Sequence, residues 1–76
     1  MREESPAATA RRRGEAFIRA AQGVRERAQA TADAEGGFAQ APTPETLRSL
    51  FEARVAEAWA RLEAKVAAVH LLLRVG

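Results

Sequence analysis

The sequence contains no cysteine and no tyrosine, and its only histidine is His70. Without cysteine the chain can form no disulfide bond and offers no thiolate to a metal or a substrate. A zinc site needs three or four ligands, and His70 has no second histidine to join it. The serines, Ser5 and Ser49, lack a nearby base in the sequence that could activate a nucleophile. We therefore expect no catalytic residue, no metal and no cofactor, and we expect that the protein is not an enzyme.

Long apolar runs are also missing. No segment approaches the ~18–20 uninterrupted apolar residues that a membrane-spanning helix requires. The arginines at residues 11–13 are not followed by the apolar stretch that a signal peptide would have. These two absences lead us to expect a cytoplasmic protein without a membrane span.

Large apolar side chains are scarcer than the apolar fraction of 47% suggests. Nineteen of those residues are alanine, which favours helix but fills little core volume. Period-two alternation, the pattern typical of a β-strand, does not occur. With 76 residues the chain forms one small domain at most. The composition therefore predicts an all-α protein with a thin core.

Glycine and proline cluster in the middle of the chain, within EGGFAQAPTPE at residues 35–45. Gly36 and Gly37 could end a helix by adopting positive φ. Thr43 and Pro44 together have the form of a helix start, with threonine as N-cap and proline at the first helical position. This cluster predicts the break between two helices.

A second, weaker helix start of the same kind is Ser5-Pro6. The two starts define the predicted organisation, which is a two-helix antiparallel hairpin in a single small domain. Its segments are a disordered N-terminus at residues 1–5, helix one at 6–34, a Gly/Pro loop at 35–43 and helix two at 44–75.

Helix two carries large apolar residues at spacings of three and four, the repeat of one helix face. Opposite this stripe lie Glu57, Arg54, Arg61 and several alanines, which we interpret as a solvated face. The stripe consists of Phe51, Val55, Trp59, Leu62, Val66, Val69 and Leu73.

Helix one has a thinner apolar series, in which only Phe17 and Val24 are large and the other members are Ala10, Ala21, Ala28 and Thr31. Ile18 adds a third large side chain to this helix, whereas helix two has twelve. Since burying one such side chain contributes roughly 1.5–3 kcal/mol, the surplus on helix two calls for a further covering surface.

The surplus predicts a protein interface formed by the stripe and extended by Leu71 and Leu72, which face away from it. A second copy of the chain, completing a four-helix bundle, would cover this surface. A groove in a larger protein would do so as well, with this chain as a small accessory subunit. The remaining alternatives are a lipid or polymer surface and a disordered or truncated C-terminal tail.

A basic triplet on helix one supports an alternative function. Arg11, Arg12 and Arg13 are consecutive, and arginine clusters contact nucleic-acid phosphates in a salt-dependent manner. Only one aromatic residue, Phe17, lies near the triplet for base stacking. The triplet also belongs to no helix-turn-helix or zinc-finger pattern. Nucleic-acid binding is therefore the alternative to a protein interface.

Residues 51–62, FEARVAEAWARL, resemble a recurrent amphipathic segment of the phasins of polyhydroxyalkanoate granules. In that family a Gly-Pro type turn usually follows, whereas here the helical pattern continues through EAKVAAVHLLL. We transfer no functional residue from this resemblance.

Overall fold

The computed structural model describes residues 5–73 and shows two long α-helices packed against each other. Helix α1 spans Pro6–Gln40 and helix α2 spans Pro44–Leu72. The Cα atoms extend over 56 × 22 × 14 Å, which is a layer one helix thick. The predicted all-α hairpin is confirmed.

Polar contacts between the helices show that the pair is antiparallel. The Thr31 hydroxyl lies 3.2 Å from the carbonyl oxygen of Ala53, near the connection between the helices. At the far end of the hairpin, Arg13 Nη1 donates a hydrogen bond to the carbonyl oxygen of Leu73 at 3.1 Å. Residues early in α1 therefore meet residues late in α2.

Both helices begin at the predicted residues and for the predicted reasons. Ser5 is the N-cap of α1, and its hydroxyl accepts a hydrogen bond from the backbone N–H of Ala8 at 3.1 Å. Thr43 is the N-cap of α2, and its hydroxyl accepts a hydrogen bond from the backbone N–H of Thr46 at 3.2 Å. In return, the backbone N–H of Thr43 donates to the hydroxyl of Thr46 at 2.9 Å. These caps satisfy backbone N–H groups that the first helical turn leaves without partners.

The end of α1 differs from the prediction. Helix one does not stop at residue 34 but continues through Gly36 and Gly37 to Gln40, which shortens the loop to residues 41–43. No described residue has positive φ, so these glycines do not terminate the helix. Pro42 ends the helix instead, because proline lacks an N–H group and disfavours helical geometry at the residue before it.

Two further boundaries bear on the prediction. Helix α2 ends at Leu72 with Leu73 as its C-cap, so Leu73 is already outside the helix that was expected to reach residue 75. Residues 1–4 and 74–76 lie outside the described residues, and the predicted disorder at 1–5 falls mostly there. Phe38, expected in the loop, is half-buried on α1.

Small residues form most of the contact between the helices. The contact surface of α2 consists of a row of half-buried alanines together with Thr46, Leu50 and Glu57. On α1 the predicted series is confirmed except at Ala10, which is exposed. Its other members are half-buried or buried, namely Phe17, Ala21, Val24, Ala28 and Thr31. The alanines of α2 on this side are Ala53, Ala56, Ala60, Ala64, Ala67 and Ala68.

Because Gly36 and Gly37 are helical, replacing them with alanine is expected to stabilise the hairpin. A Cβ atom at either position would meet no atom within 4 Å. Each replacement should raise the free energy of unfolding by about 0.5–1 kcal/mol, measured by urea or thermal unfolding.

The matched control is the reverse change, Ala39→Gly, at an exposed position of the same helical segment. It should destabilise the hairpin by a similar amount. A loss of stability in Gly36→Ala and Gly37→Ala would instead mean that these residues form a turn with positive φ.

Candidate protein interface

The predicted stripe of α2 lies on the side turned away from α1. We call Phe51, Val55, Trp59, Leu62, Val66, Val69 and Leu73 the outer stripe. With 3.6 residues per turn, its centre lies about 180° around the axis of α2 from the row of alanines that contacts α1. The interpretation of Glu57 and the alanines as a solvated face is therefore wrong, because these residues pack against α1.

Every member of the outer stripe is exposed in the single chain. Trp59 is 62% exposed and Phe51 is 67% exposed, and even Val55, the least exposed member, retains 40%. Leu71 and Leu72, the predicted extension, are also exposed, at 42% and 79%. Among the described residues of α2, Leu50 is the one large apolar side chain that is buried, with 9% of its surface exposed.

Helix α1 presents a different surface to solvent. Among its described residues, Ile18 is the one large apolar side chain that is exposed. The exposed apolar surface of the hairpin is therefore concentrated on α2. From the exposed fractions, the outer stripe with Leu47 and Leu72 presents on the order of 900 Å², close to the ~800 Å² per partner of a standard-size protein interface.

Two depressions follow the outer stripe. A shallow hollow of about 250 Å³ lies between Trp59 and Ala58. A groove of about 390 Å³ runs between α2 and the N-terminal half of α1. The hollow is lined by Val55, Ala58, Trp59 and Leu62, and the groove by Arg13, Ala16, Trp59, Leu62, Glu63, Val66, Ala67 and His70.

The three arginines of the alternative hypothesis do not share one surface. Arg11 and Arg12 are exposed on α1, whereas Arg13 is half-buried and its guanidinium binds the carbonyl oxygen of Leu73. A cation at this position favourably meets the negative end of the α2 dipole and satisfies a carbonyl that the helix leaves without a partner. Arg13 therefore helps to hold the open end of the hairpin.

A polar cluster inside the helix contact was not predicted from the sequence. The Glu57 side chain is 16% exposed and accepts hydrogen bonds from Arg61, one of them from Nε at 3.1 Å. Thr31 reaches the same region from α1 and is within hydrogen-bond distance of the carbonyl oxygens of Arg27 and Ala53, at 3.0 and 3.2 Å. The sequence signal was present, since Glu57 follows the same spacing as the alanine row.

The same cluster shifts the titration of Glu57. The hydrogen bond from Arg61, and secondly one from Thr31, hold the pKa of Glu57 below its ordinary value of 4.5. Both groups favour the ionised carboxylate. Outside this cluster, Arg54 forms an exposed ion pair with Glu35 of α1 at 3.6 Å.

Neither helix, over the residues that the structure describes, has an apolar stretch that would suffice to cross a membrane. The described part of the chain also contains no group of three or more histidine, aspartate or glutamate side chains placed to hold a metal ion. No family model matches the chain, and no curated protein or solved structure matches it either.

The lowered pKa of Glu57 makes the stability of the hairpin depend on pH. Because the folded state favours the ionised carboxylate, its contribution is present above the unfolded pKa and is lost as the pH falls through the lower, folded pKa. Glu57→Gln should therefore be less stable than the parent chain at pH 7, and the difference should shrink below about pH 4. Urea unfolding at a series of pH values measures it.

Glu26→Gln, which changes an exposed carboxylate of α1, is the control for a general charge effect. Its stability should follow that of the parent chain across the same pH series. A difference between Glu57→Gln and the parent chain that stays constant with pH would contradict the role given to the carboxylate.

Proposed function

We propose that the protein is a non-catalytic helical oligomerisation module in which the outer stripe of α2 packs against a second copy of the chain. The observation that carries the proposal is the exposure of Trp59 and the rest of the outer stripe, whose centre is turned away from α1. The two described helices form one layer that leaves this side uncovered, and a second copy of the chain would cover it.

The position of the outer stripe favours an assembly through α2. Pairing two outer stripes would bury the apolar side of both hairpins at once, and the surface of each is sufficient for a standard-size interface. A groove in a larger protein or a lipid surface would cover the same side chains, and the experiment below distinguishes these occupants from a second copy.

The two faces of α2 also define the form of such an assembly. Because the outer stripe and the alanine row are about 180° apart, paired hairpins would have α2 in the middle and α1 on both outer sides. We therefore propose a four-helix layer in place of the compact four-helix bundle that the sequence suggested.

Trp59→Ala is expected to weaken the assembly strongly. Large aromatic side chains at the centre of an interface commonly contribute about 2 kcal/mol or more, which corresponds to roughly a 30-fold higher Kd. Sedimentation velocity over a range of micromolar concentrations measures the Kd. The melting temperature of the parent chain should also rise with protein concentration, because association stabilises the folded state.

Ile18→Ala is the matched control, since Ile18 is similarly exposed at 58% but lies on α1. It should leave the Kd unchanged. A parent chain that remains monomeric and melts at a concentration-independent temperature would overturn the proposal. If such a monomer bound anionic vesicles, the lipid alternative would replace it.

Nucleic-acid binding through Arg11, Arg12 and Arg13 is the alternative function, and it makes a separate prediction. If it holds, replacing the exposed Arg11 and Arg12 with alanine, which keeps the hydrogen bond of Arg13 to Leu73, should strongly weaken binding to a short RNA or DNA duplex while leaving the oligomer size unchanged. The affinity of the parent chain should fall steeply with salt, because bound arginines release counterions. Affinity that is independent of salt, or the same in parent and variant, would exclude it.

A further inference from the structure

We infer that the two copies pair with their α2 helices parallel and in register, an inference that rests on the proposed self-association. It comes from the two edges of the outer stripe, which differ in shape and in charge. Apolar area alone would allow parallel or antiparallel pairing, so the direction depends on which edges of the two outer stripes come together.

Shape is the first difference. Trp59 lies at one edge of the outer stripe, and Ala58 lies at the other edge at almost the same height along α2, with the hollow of about 250 Å³ between them. One edge therefore carries a large exposed side chain at this height, and the opposite edge carries a small one.

Charge is the second difference. The edge that contains Trp59 also contains Glu52 and Glu63, and the edge that contains Ala58 also contains Lys65, with Arg54 and Arg61 just beyond it. Arg48 and His70 lie near the two ends of the first edge and leave its central part acidic.

A parallel two-fold arrangement brings unlike edges together. Rotation about an axis parallel to the helices places the Trp59 edge of one copy against the Ala58 edge of the other, at the same height. Each Trp59 then lies against the small side chain of the partner's Ala58. Lys65 and Arg61 each come within two residues, or about 3 Å along the axis, of the height of Glu63 in the partner.

An antiparallel two-fold arrangement brings like edges together. When the helical part of the outer stripe, from Phe51 to Val69, overlaps fully, the centre of symmetry lies near Ala60. The Trp59 edges of the two copies then meet, and each Trp59 comes within about 3 Å of the height of its own equivalent. On the basic edge Lys65 would approach Arg54 of the second copy, and Arg61 would approach its own equivalent. Like charges placed directly opposite each other are destabilising, so the parallel arrangement is favoured.

Disulfide crosslinking tests the direction, and the absence of cysteine from the chain makes every single-cysteine variant unambiguous. Val55 and Val66 lie near the centre line of the outer stripe. In the parallel dimer Val55→Cys should crosslink to itself under mild oxidation, and so should Val66→Cys, because each pair comes within the Cβ–Cβ distance that a disulfide requires.

In an antiparallel dimer neither variant would crosslink alone, since identical residues would be at least about 15 Å apart along the axis. Only a mixture of Val55→Cys and Val66→Cys would form a disulfide. Ile18→Cys is the control for collisional crosslinking and should remain reduced over the same time.

The outcomes separate this inference from the proposed function. Dimers that crosslink only in the mixture, or dimers that do not crosslink at all, would overturn the parallel arrangement and leave self-association intact. A parent chain that is monomeric in sedimentation would overturn both.

Charge reversal provides a second test that involves no cysteine. In the parallel dimer Lys65→Glu should raise the Kd about two- to fivefold at low salt, and adding Glu63→Lys should restore it. In the antiparallel dimer Lys65→Glu would face Arg54 of the second copy and would lower the Kd. A lower Kd for Lys65→Glu than for the parent chain would therefore contradict the parallel arrangement.

Discussion

The contact between α1 and α2 is lined mainly by alanine, and the rest of the structure depends on this constraint. Alanine side chains are small enough for the helix backbones to approach closely, so that the Thr31 hydroxyl of α1 reaches the main-chain carbonyl of Ala53 on α2. A close contact of this kind leaves little space for large side chains. Most large apolar residues of α2 are consequently placed elsewhere on the helix, and the exceptions are Leu50 and Leu71, which continues the alanine row near the C-terminal end.

The position of Glu57 follows from the same close approach. A carboxylate within a helix contact loses hydration and requires compensating hydrogen bonds. Arg61 supplies them from one turn along α2, and Thr31 contributes from α1.

The outer stripe is the second consequence. Contiguous exposed apolar patches of this size are unusual in monomeric proteins, and this supports the proposed packing of the outer stripe against a second copy. The asymmetry between the two helices strengthens this reading, because α1 exposes Ile18 as its one large apolar side chain among the described residues. The proposed assembly therefore depends on α2, with α1 serving as an outer layer.

The sequence by itself determined the helical class, the two helix starts and the membership of the outer stripe. These properties are local: N-caps act within one turn, and apolar periodicity defines a face without reference to a partner. Only the tertiary structure decided which face of α2 meets α1, because both the alanine row and the outer stripe repeat with helical spacing. It also decided that Gly36 and Gly37 remain helical, since glycine permits a turn but does not require one, and packing of α1 along α2 favours the longer helix.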